Sequence, residues 1–172
     1  AIGDRAQLTG AIAGLHTAIA NPFFSVGVQA DLMNSDINAL YISQSGLTMG
    51  DRDYYLDPEN ENIRTAYKEY LGKLFRLAGI PEADIEKAVA GVMNIETKLA
   101  EKSWSNTELR DIPAQYNPTA KAEFEKTYDA IDWPAYYKAM GIGDFDTIIV
   151  TTKSSIANAN DQIGRASCRE RV

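Results

Sequence analysis

The sequence predicts a mainly α-helical fold with a β-hairpin at about residues 23–44 and a short strand near residues 146–152. Through most of the chain, apolar residues recur at the spacing that places them on one face of a helix. Over residues 23–44 the pattern changes to alternation between apolar and polar residues, which is typical of strands. A β-branched run near the end of the chain indicates a further strand, and it comprises Thr147, Ile148, Ile149, Val150 and Thr151.

The first helix is expected to begin after Asp4, because Asp4 and Gln7 have the spacing of an N-terminal capping pair. We expect it to end near Asn21-Pro22. Its apolar face comprises Leu8, Ala11, Ile12, Leu15 and Ile19. Two alternating segments follow, and residues 31–38 between them are rich in Asp, Asn and Ser, the composition of a turn. Together these pieces predict the β-hairpin.

Two long helices are predicted in the middle of the chain. Asp57-Pro58 is a helix N-cap followed by proline at the first helical position, and Gly79 is a C-terminal stop signal. Pro81 opens the second helix, whose first turn is acidic, as a helix N-terminus favours. Because only a few residues join the two helices, we expect an antiparallel pair. Their apolar faces are Ile63, Tyr67, Tyr70, Leu71, Leu74, Leu77 and Ala78 in the first helix, and Ile85, Val89, Val92, Ile95 and Leu99 in the second.

Helical periodicity fades over residues 103–116, which we interpret as an ordered loop. A helix is predicted from Asn117-Pro118 to about Tyr128, and a shorter one from Asp132 to Gly141. No internal repeat or low-complexity linker interrupts the pattern, so the sequence predicts no domain boundary within this region.

The last ten residues differ in character from the rest. Residues 163–172 resemble one translated frame of a sequencing-adapter oligonucleotide and have no pattern relation to what precedes them. We therefore predict that residues 1–162 are the natural part, and that residues 163–172 are an adapter-derived artefact outside the fold. Ala1 is not a methionine and no charged-then-apolar leader precedes the first helix, so the start is also expected to be a cut through a longer reading frame.

Composition excludes several classes of function. The net charge is −7, or −9 without the three arginines and one glutamate of residues 163–172. This acidic balance argues against a nucleic-acid partner, which needs clustered Lys and Arg. The only cysteine is Cys168, so residues 1–162 hold no disulfide, thiol nucleophile or cysteine zinc ligand. No apolar run approaches the roughly 18 residues of a membrane span.

The ionisable candidates favour structural roles. His16 is the only histidine and has no second ligand at metal-binding spacing, so we interpret it as a helix-face residue and not a zinc ligand. Asp51-Arg52-Asp53 is able either to position a substrate terminus or to lock a loop by hydrogen bonds, and we favour the loop. For Arg110-Asp111 we make the same prediction, with each arginine tying irregular backbone to a neighbouring helix.

The tyrosine cluster has two possible roles. The rings either form a surface that binds a sugar or peptide, or they belong to the core and only their hydroxyls reach the surface. Tyrosine at helical spacing is more often core, and we take that as the default. The residues concerned are Tyr54, Tyr55, Tyr67, Tyr70, Tyr128, Tyr136 and Tyr137.

One segment carries a family resemblance, and it is the run Gln44-Ser45-Gly46-Leu47-Thr48-Met49-Gly50-Asp51-Arg52-Asp53-Tyr54-Tyr55-Leu56. It resembles neprilysin-type zinc metallopeptidases, whose usual form is close to Gln-Gly-Gly-Leu-Gly-Leu-Pro-Asp-Arg-Asp-Tyr-Tyr-Leu. Residues 51–56 match fully, while Ser45, Thr48, Met49 and Gly50 depart from that form. Glycine instead of proline at position 50 is expected to loosen the turn. Over residues 5–152 the resemblance continues with Asn21-Pro22-Phe23-Phe24, Tyr67, Leu77-Ala78-Gly79, Glu96, Leu99-Ala100, Arg110-Asp111, Tyr116-Asn117 and Asp132-Trp133.

The resemblance identifies residues 1–162 as part of the N-terminal domain of such a peptidase, in the family of neprilysin, endothelin-converting enzyme and bacterial oligoendopeptidase O. It implies a zinc-dependent metalloendopeptidase that hydrolyses oligopeptides, with its zinc ligands and glutamate base in a C-terminal catalytic domain. One histidine cannot supply the His-Glu-x-x-His zinc helix. The resemblance therefore implies no catalytic residue and no metal ligand in this chain, zinc bound elsewhere in the parent enzyme, and an inactive fragment that helps enclose the substrate cavity. Its substrate-binding residues stay unidentified.

The same resemblance implies a bacterial parent exported to the periplasm or the cell surface. Absence of cysteine from residues 1–162 fits a bacterial member better than the disulfide-rich animal ones. The alternative function is a non-catalytic helical protein-binding or scaffold domain, which predicts a soluble, monodisperse protein. The peptidase fragment instead predicts an exposed apolar face where the catalytic domain packs.

Overall fold

The computed structural model describes the backbone of residues 4–168 and the side chains of residues 4–165. Helix α1, Arg5–Thr17, begins as predicted, with the Asp4 carboxylate accepting a hydrogen bond from the Gln7 amide at 2.8 Å. It ends earlier than predicted because Ile19 adopts φ +63°, which is outside the helical region. The amides of Ile19 and Ala20 donate to the carbonyls of His16 and Leu15, a Schellman-type ending.

The predicted hairpin is confirmed. Strands β1, Phe24–Ala30, and β2, Asn38–Gln44, pair antiparallel without a bulge, from Phe24 opposite Gln44 to Ala30 opposite Asn38. The connecting turn is organised by Asp31, whose Oδ1 accepts hydrogen bonds from the amides of Met33 at 2.8 Å and Asn34 at 3.1 Å. This is the local competition between side chain and backbone that makes Asp a turn residue.

Two later strands complete a four-stranded sheet of order β1-β2-β4-β3. Strand β4, Thr147–Val150, confirms the predicted strand near residues 146–152 and pairs parallel to β2. Strand β3, Pro118–Ala120, pairs antiparallel to β4 and occupies residues that the sequence predicted as helix. Helix α5 therefore begins only at Lys121 and runs over Lys121–Thr127.

The predicted antiparallel helix pair is present. Helix α3 runs over Glu61–Leu77 and helix α4 over Glu82–Ala100. The connection turns at Gly79, with φ +79°, and Arg76 forms an ion pair with Glu82 across it at 2.7 Å. At the far end Tyr67 of α3 contacts Glu96 of α4, so the helices run in opposite directions. Asp57 caps a short 3-10 turn that leads into α3, and helix α2, Asp53–Leu56, precedes that turn.

An aromatic core joins the sheet to helix α6, Trp133–Met140. Asp132 caps this helix by accepting from the Ala135 amide at 3.1 Å, and Gly141 ends it with φ +67°. The indole of Trp133 lies against the rings of Phe24 and Phe124, with centroids 5.6 and 4.8 Å away. These rings and the β2 and β4 side chains form the main core, together with Ile12, Ala13, Leu40, Ile42, Tyr128, Ile131, Tyr136, Tyr137, Ile148, Val150, Ile156 and Ile163.

Helix α7, Lys153–Cys168, extends past the predicted boundary at residue 162. Ile163 is 2% exposed within the core, although the sequence placed residues 163–172 outside the fold. An apolar side chain one helical repeat after Ile156 reaches the same core, whatever its origin. Residues 169–172 lie outside the described residues. The adapter origin of the last ten residues stays a prediction.

The loop predicted at residues 103–116 contains two 3-10 turns, Glu108–Arg110 and Pro113–Gln115. With seven helices and one small sheet among residues 4–168, the mainly α prediction is confirmed. In this described part, no helix is long and apolar enough to cross a membrane.

Candidate functional site

A buried carboxylate lies at the centre of the segment that carries the family resemblance. Glu96 is 8% exposed, on the face of α4 that meets α3 and residues 44–56. Its Oε1 accepts hydrogen bonds from the hydroxyls of Thr48 at 2.7 Å and Tyr67 at 3.1 Å, and its Oε2 accepts from Tyr55 at 2.7 Å. Three neutral donors thus take the place of a cationic partner.

The two phenols stay neutral because of their surroundings. Burial raises the pKa of Tyr67 to about 12, and Glu96 adds to this effect. Burial also raises the pKa of Tyr55, with a further contribution from Glu96. The Tyr55 oxygen in turn accepts the Met49 amide at 3.0 Å. The network therefore ties the backbone of residues 44–56 to both long helices.

Asp51-Arg52-Asp53 makes the contacts expected of a loop lock. Arg52 Nη1 donates to the carbonyl of Ser103 at 2.8 Å, just beyond the end of α4. Asp51 Oδ1 accepts the Asp53 amide at 3.0 Å, and Asp51 Oδ2 accepts the Asn106 amide at 3.4 Å. The Asp53 side chain is 64% exposed and lies 4.0 Å from Arg52. Since the two carboxylates have separate tasks, the arrangement offers no acid and base pair.

The prediction for Arg110 is wrong. Its side chain is exposed at the end of a 3-10 turn and makes no hydrogen bond or ion pair within residues 4–165. Asp111 does have a local role, since its Oδ1 accepts the Ala114 amide at 3.1 Å. Exposure explains the difference, because water solvates a guanidinium that the fold does not enclose.

Glycine at position 50, where the family form has proline, changes the backbone conformation of the turn as well as loosening it. Its φ is +90°, which proline cannot adopt because its ring holds φ near −65°. The chain therefore has a different backbone conformation at this point from that of a segment with proline there.

His16 is buried and not merely a helix-face residue. It is 8% exposed, its Nδ1 lies 2.6 Å from the Tyr136 hydroxyl, and its ring meets Phe24 edge-on at 5.0 Å. Burial lowers the pKa of His16, partly offset by the Phe24 carbonyl. Burial raises the pKa of Tyr136, so the phenol stays neutral, and the direction of its hydrogen bond with the imidazole follows the His16 tautomer.

The tyrosine cluster divides into two groups. Tyr70 is 55% exposed and Tyr54 is 37% exposed, so neither belongs to the core. The other members are buried as predicted, namely Tyr55, Tyr67, Tyr128, Tyr136 and Tyr137. The hydroxyls of three of them do not reach the surface in the way predicted, because Tyr55 and Tyr67 donate to Glu96 and the Tyr136 hydroxyl bonds to His16.

The donor set does not fit zinc. Within the described residues there is no group of three His, Cys, Asp or Glu side chains able to hold a metal ion. The single imidazole is enclosed by aromatic rings, and its Nδ1 is already bonded to Tyr136. Catalytic zinc needs three protein ligands around one open position, and the described residues do not offer such a set.

The Glu96 network was not predicted, although the sequence contained a signal for it. Glu96 lies four residues after Val92 and three before Leu99, which places a carboxylate on the apolar stripe of α4. A charge at that position needs buried partners. Those partners come from other elements, and their identity depends on the tertiary fold.

Comparison with known proteins decides the family. The model of peptidase family M13, for its N-terminal region, matches residues 2–170. The chain belongs to peptidase family M13. It is similar to endothelin-converting enzyme 1 of Rattus norvegicus, with 33% identity over 154 residues, and of Homo sapiens, with 34% identity over 156 residues. These alignments cover 83% of the M13 chain and 20% of each relative.

Solved structures show the same fold. The M13 chain matches the Mycobacterium tuberculosis zinc metalloprotease Zmp1 in complex with inhibitor at a TM-score of 0.89 and 22% identity, over 97% of this chain and 26% of that one. PepO from Lactobacillus rhamnosis matches at a TM-score of 0.71 and 16% identity, over 98% of this chain and 29% of that one. The chain thus spans about a fifth of the curated relatives and about a quarter of the solved structures.

Proposed function

We propose that this chain is the N-terminal part of a zinc-dependent metalloendopeptidase that hydrolyses oligopeptides. Membership of family M13 over residues 2–170 carries the proposal. Similarity to endothelin-converting enzyme 1 and to a structure named as a zinc metalloprotease supports the reaction class. In that chemistry zinc activates a water and polarises the scissile carbonyl.

The proposed role of this part is to help enclose the substrate cavity, with catalysis and zinc binding elsewhere in the protein. One histidine in the whole sequence supports this division. The buried carboxylate of Glu96 supports it too, because three hydroxyl donors already engage it within the fold. We propose that residues 1–172 alone are inactive.

We further propose that the parent protein is bacterial and acts outside the cytoplasm, in the periplasm or at the cell surface. Relatives of the same fold from Mycobacterium and Lactobacillus support a bacterial source. Oligopeptides would then be its partners in solution, and the acidic charge of the chain gives no support for nucleic acid.

Recovery of the parent gene tests the proposal directly. Its frame, read beyond Gln162, is expected to encode a His-Glu-x-x-His helix and a downstream glutamate ligand. The full-length product should cleave oligopeptides, lose activity on chelation and recover it with zinc, while residues 1–172 alone show none.

A frame that ends soon after Gln162, or that continues without those ligands, would overturn the peptidase proposal. The function would then be that of a helical protein-binding or scaffold domain. A monodisperse chain that unfolds cooperatively and binds no apolar dye would support that alternative.

A further inference from the structure

Strand β1 forms an open edge of the sheet. In the order β1-β2-β4-β3 it pairs only with β2, and within the described residues no other element bonds to the backbone of residues 26–30. This stretch is also accessible, since residues 27–30 are all exposed and Val28 is 63% exposed. The backbone of this edge is therefore free to pair with another strand.

The free backbone groups of this edge belong to alternate residues. The Asp31 amide donates to the Ile37 carbonyl at 3.0 Å, so the backbone at position 31 faces β2. Hydrogen bonding alternates along an antiparallel strand, and here the pairing runs without a bulge. The amides and carbonyls of Val26, Val28 and Ala30 therefore point away from β2, toward the open side.

The β1 edge lacks the features that commonly protect an exposed strand. Its seven residues include no charged side chain, no proline and no bulge. The opposite edge of the sheet does have such protection, because β3 is only three residues long and begins with Pro118. An assembly that pairs two β1 edges would therefore use the one unprotected edge of each chain and would stop at two copies.

We propose that β1 pairs antiparallel with β1 of a second copy of this chain, about a twofold axis at Val28. Each Val28 then lies opposite its counterpart, and each Val26 lies opposite Ala30, which gives about six backbone hydrogen bonds between the chains. Like charges do not face each other in this register, because Asp31, the first ionisable residue after β1, lies opposite Ser25. The two sheets become one continuous sheet.

Neighbouring registers are less favourable. An axis at position 29 would bring Leu32 into the pairing, and the Leu32 amide already donates to the Tyr41 hydroxyl at 3.2 Å. An axis at position 27 would bring in Phe24, which is 2% exposed. The axis at Val28 uses only backbone groups that are both unpaired and accessible.

Sedimentation equilibrium of the 172-residue chain tests the pairing. The mean mass should rise from 18.9 kDa toward twice that value as the concentration is raised to about 1 mM, which would reveal even a weak dimer. Each chain has a net charge of −7 while β1 has none, so added salt should strengthen the dimer by screening the repulsion between the chains. A chain that stays monomeric throughout, or assemblies that grow beyond two copies, would overturn the inference.

Charged side chains at position 28 test the register. Val28→Lys places two ammonium groups opposite each other at the axis, so this variant should be monomeric, and so should Val28→Glu. An equimolar mixture of the two should restore the dimer, because opposite charges then face each other. The matched control is Val28→Thr, which keeps an uncharged β-branched side chain and should dimerise. Since Val28 is 63% exposed, all three variants should fold, and circular dichroism checks this.

A dimer that persists in either charged variant alone, or a mixture that stays monomeric, would overturn the proposed register. Association through another apolar surface has its own control, the double variant Leu15→Asn with Ile95→Asn, which alters exposed residues of α1 and α4. The dimer should persist in that variant, and its dissociation would contradict pairing through β1. This pairing goes beyond the proposed function and does not depend on it, because every measurement uses the 172-residue chain.

Discussion

At the scale of single residues, Glu96 organises the segment that carries the family pattern. Its carboxylate accepts hydrogen bonds from hydroxyls of a loop, of α2 and of α3, and so joins all three to α4. A buried carboxylate without such donors would be strongly destabilising. The residue and its donors therefore depend on each other, and loss of either side leaves polar groups unsatisfied in the interior.

Glu96→Ala should lower the free energy of unfolding of the 172-residue chain by about 3 kcal/mol, because three hydroxyls lose a charged acceptor and two of them stay buried. Urea unfolding measures the change. The control is Glu86→Ala, an exposed glutamate on the same helix, which should change stability by less than about 0.5 kcal/mol. A similar small change in both variants would show that the network contributes little.

His16 makes stability depend on pH in a defined direction. Because its pKa in the folded chain is lowered from 6.5, the unfolded chain binds more protons in this range. The stabilisation is complete above pH 6.5 and is lost as the pH falls from 6.5 to the folded pKa. For one proton the slope is at most about 1.4 kcal/mol per pH unit.

Replacement by glutamine, His16→Gln, should remove that slope, since the glutamine amide offers Tyr136 both a donor and an acceptor and does not titrate. Unfolding free energies at several pH values between 8 and 5 check this. Carboxylates titrate in both proteins, so the difference between wild type and variant isolates the imidazole. Parallel curves would contradict the assignment.

At the scale of elements, the end of α1 stores backbone strain. Ile19 is β-branched, 88% exposed and at φ +63°, in the position where glycine is usual. Ile19→Gly should raise the free energy of unfolding by about 0.5–1 kcal/mol, because relief of about 1–2 kcal/mol exceeds the added entropy of the unfolded chain. Ala18→Gly, at φ −87°, has no strain to relieve and should destabilise. Thermal melts of both variants decide between these outcomes.

Gly46 and Gly50 have nearly the same φ, so alanine substitution at each distinguishes the cost of backbone strain from the cost of steric contact. Gly50→Ala should cost about 1–2 kcal/mol for φ alone, because no atom lies within 4 Å of the added Cβ. Gly46→Ala should cost about 1–3 kcal/mol more, because its Cβ meets the backbone of Pro22. Equal losses in urea unfolding would mean that the loop of Pro22 moves freely.

Helix caps and alternating strands were predictable because their signals are local. Asp4 with Gln7, and Asp132 before α6, place their hydrogen bonds within one helical turn of themselves. Strand β3 was not predictable in this way, because a strand of three residues exists only through its pairing with β4.

The apolar face of α4 was predicted only in part. Ile85 and Leu99 are buried as expected, whereas Ile95 is 41% exposed and Glu96 is buried instead. A one-residue shift of this kind is invisible to hydrophobicity alone, since it depends on three hydroxyls from distant parts of the sequence. Helical spacing could therefore signal a carboxylate on the apolar stripe of α4 but could not identify the hydroxyls that bury it.

At the scale of the whole molecule, large apolar side chains are exposed in separate patches. A groove between the end of α1, residues 45–48 and α4 has Leu15 and Ile95, the hairpin turn has Leu32 and Met33, and the end of α3 has Leu77, which is 87% exposed. Such exposure agrees with a chain that spans a quarter of its structural relatives. It also predicts association with apolar molecules.

The 172-residue chain should bind an apolar fluorescent dye chiefly in the groove, because a concave surface removes more of the dye from water than a turn does. The double variant Leu15→Asn with Ile95→Asn should reduce dye fluorescence. Leu32→Asn with Met33→Asn, at the hairpin turn, is the control and should reduce it less. The reverse order would contradict the assignment of the groove.

The parallel pairing of β2 with β4 sets an order of events during synthesis. About 100 residues separate the two strands, so at about 5–20 residues per second the ribosome needs about 5–20 s to deliver β4 after β2. During that interval Leu40 and Ile42 lack the partners that bury them in the finished sheet. The nascent hairpin therefore exposes these apolar side chains to chaperones and to misassociation, and faster elongation through residues 45–146 would shorten that exposure.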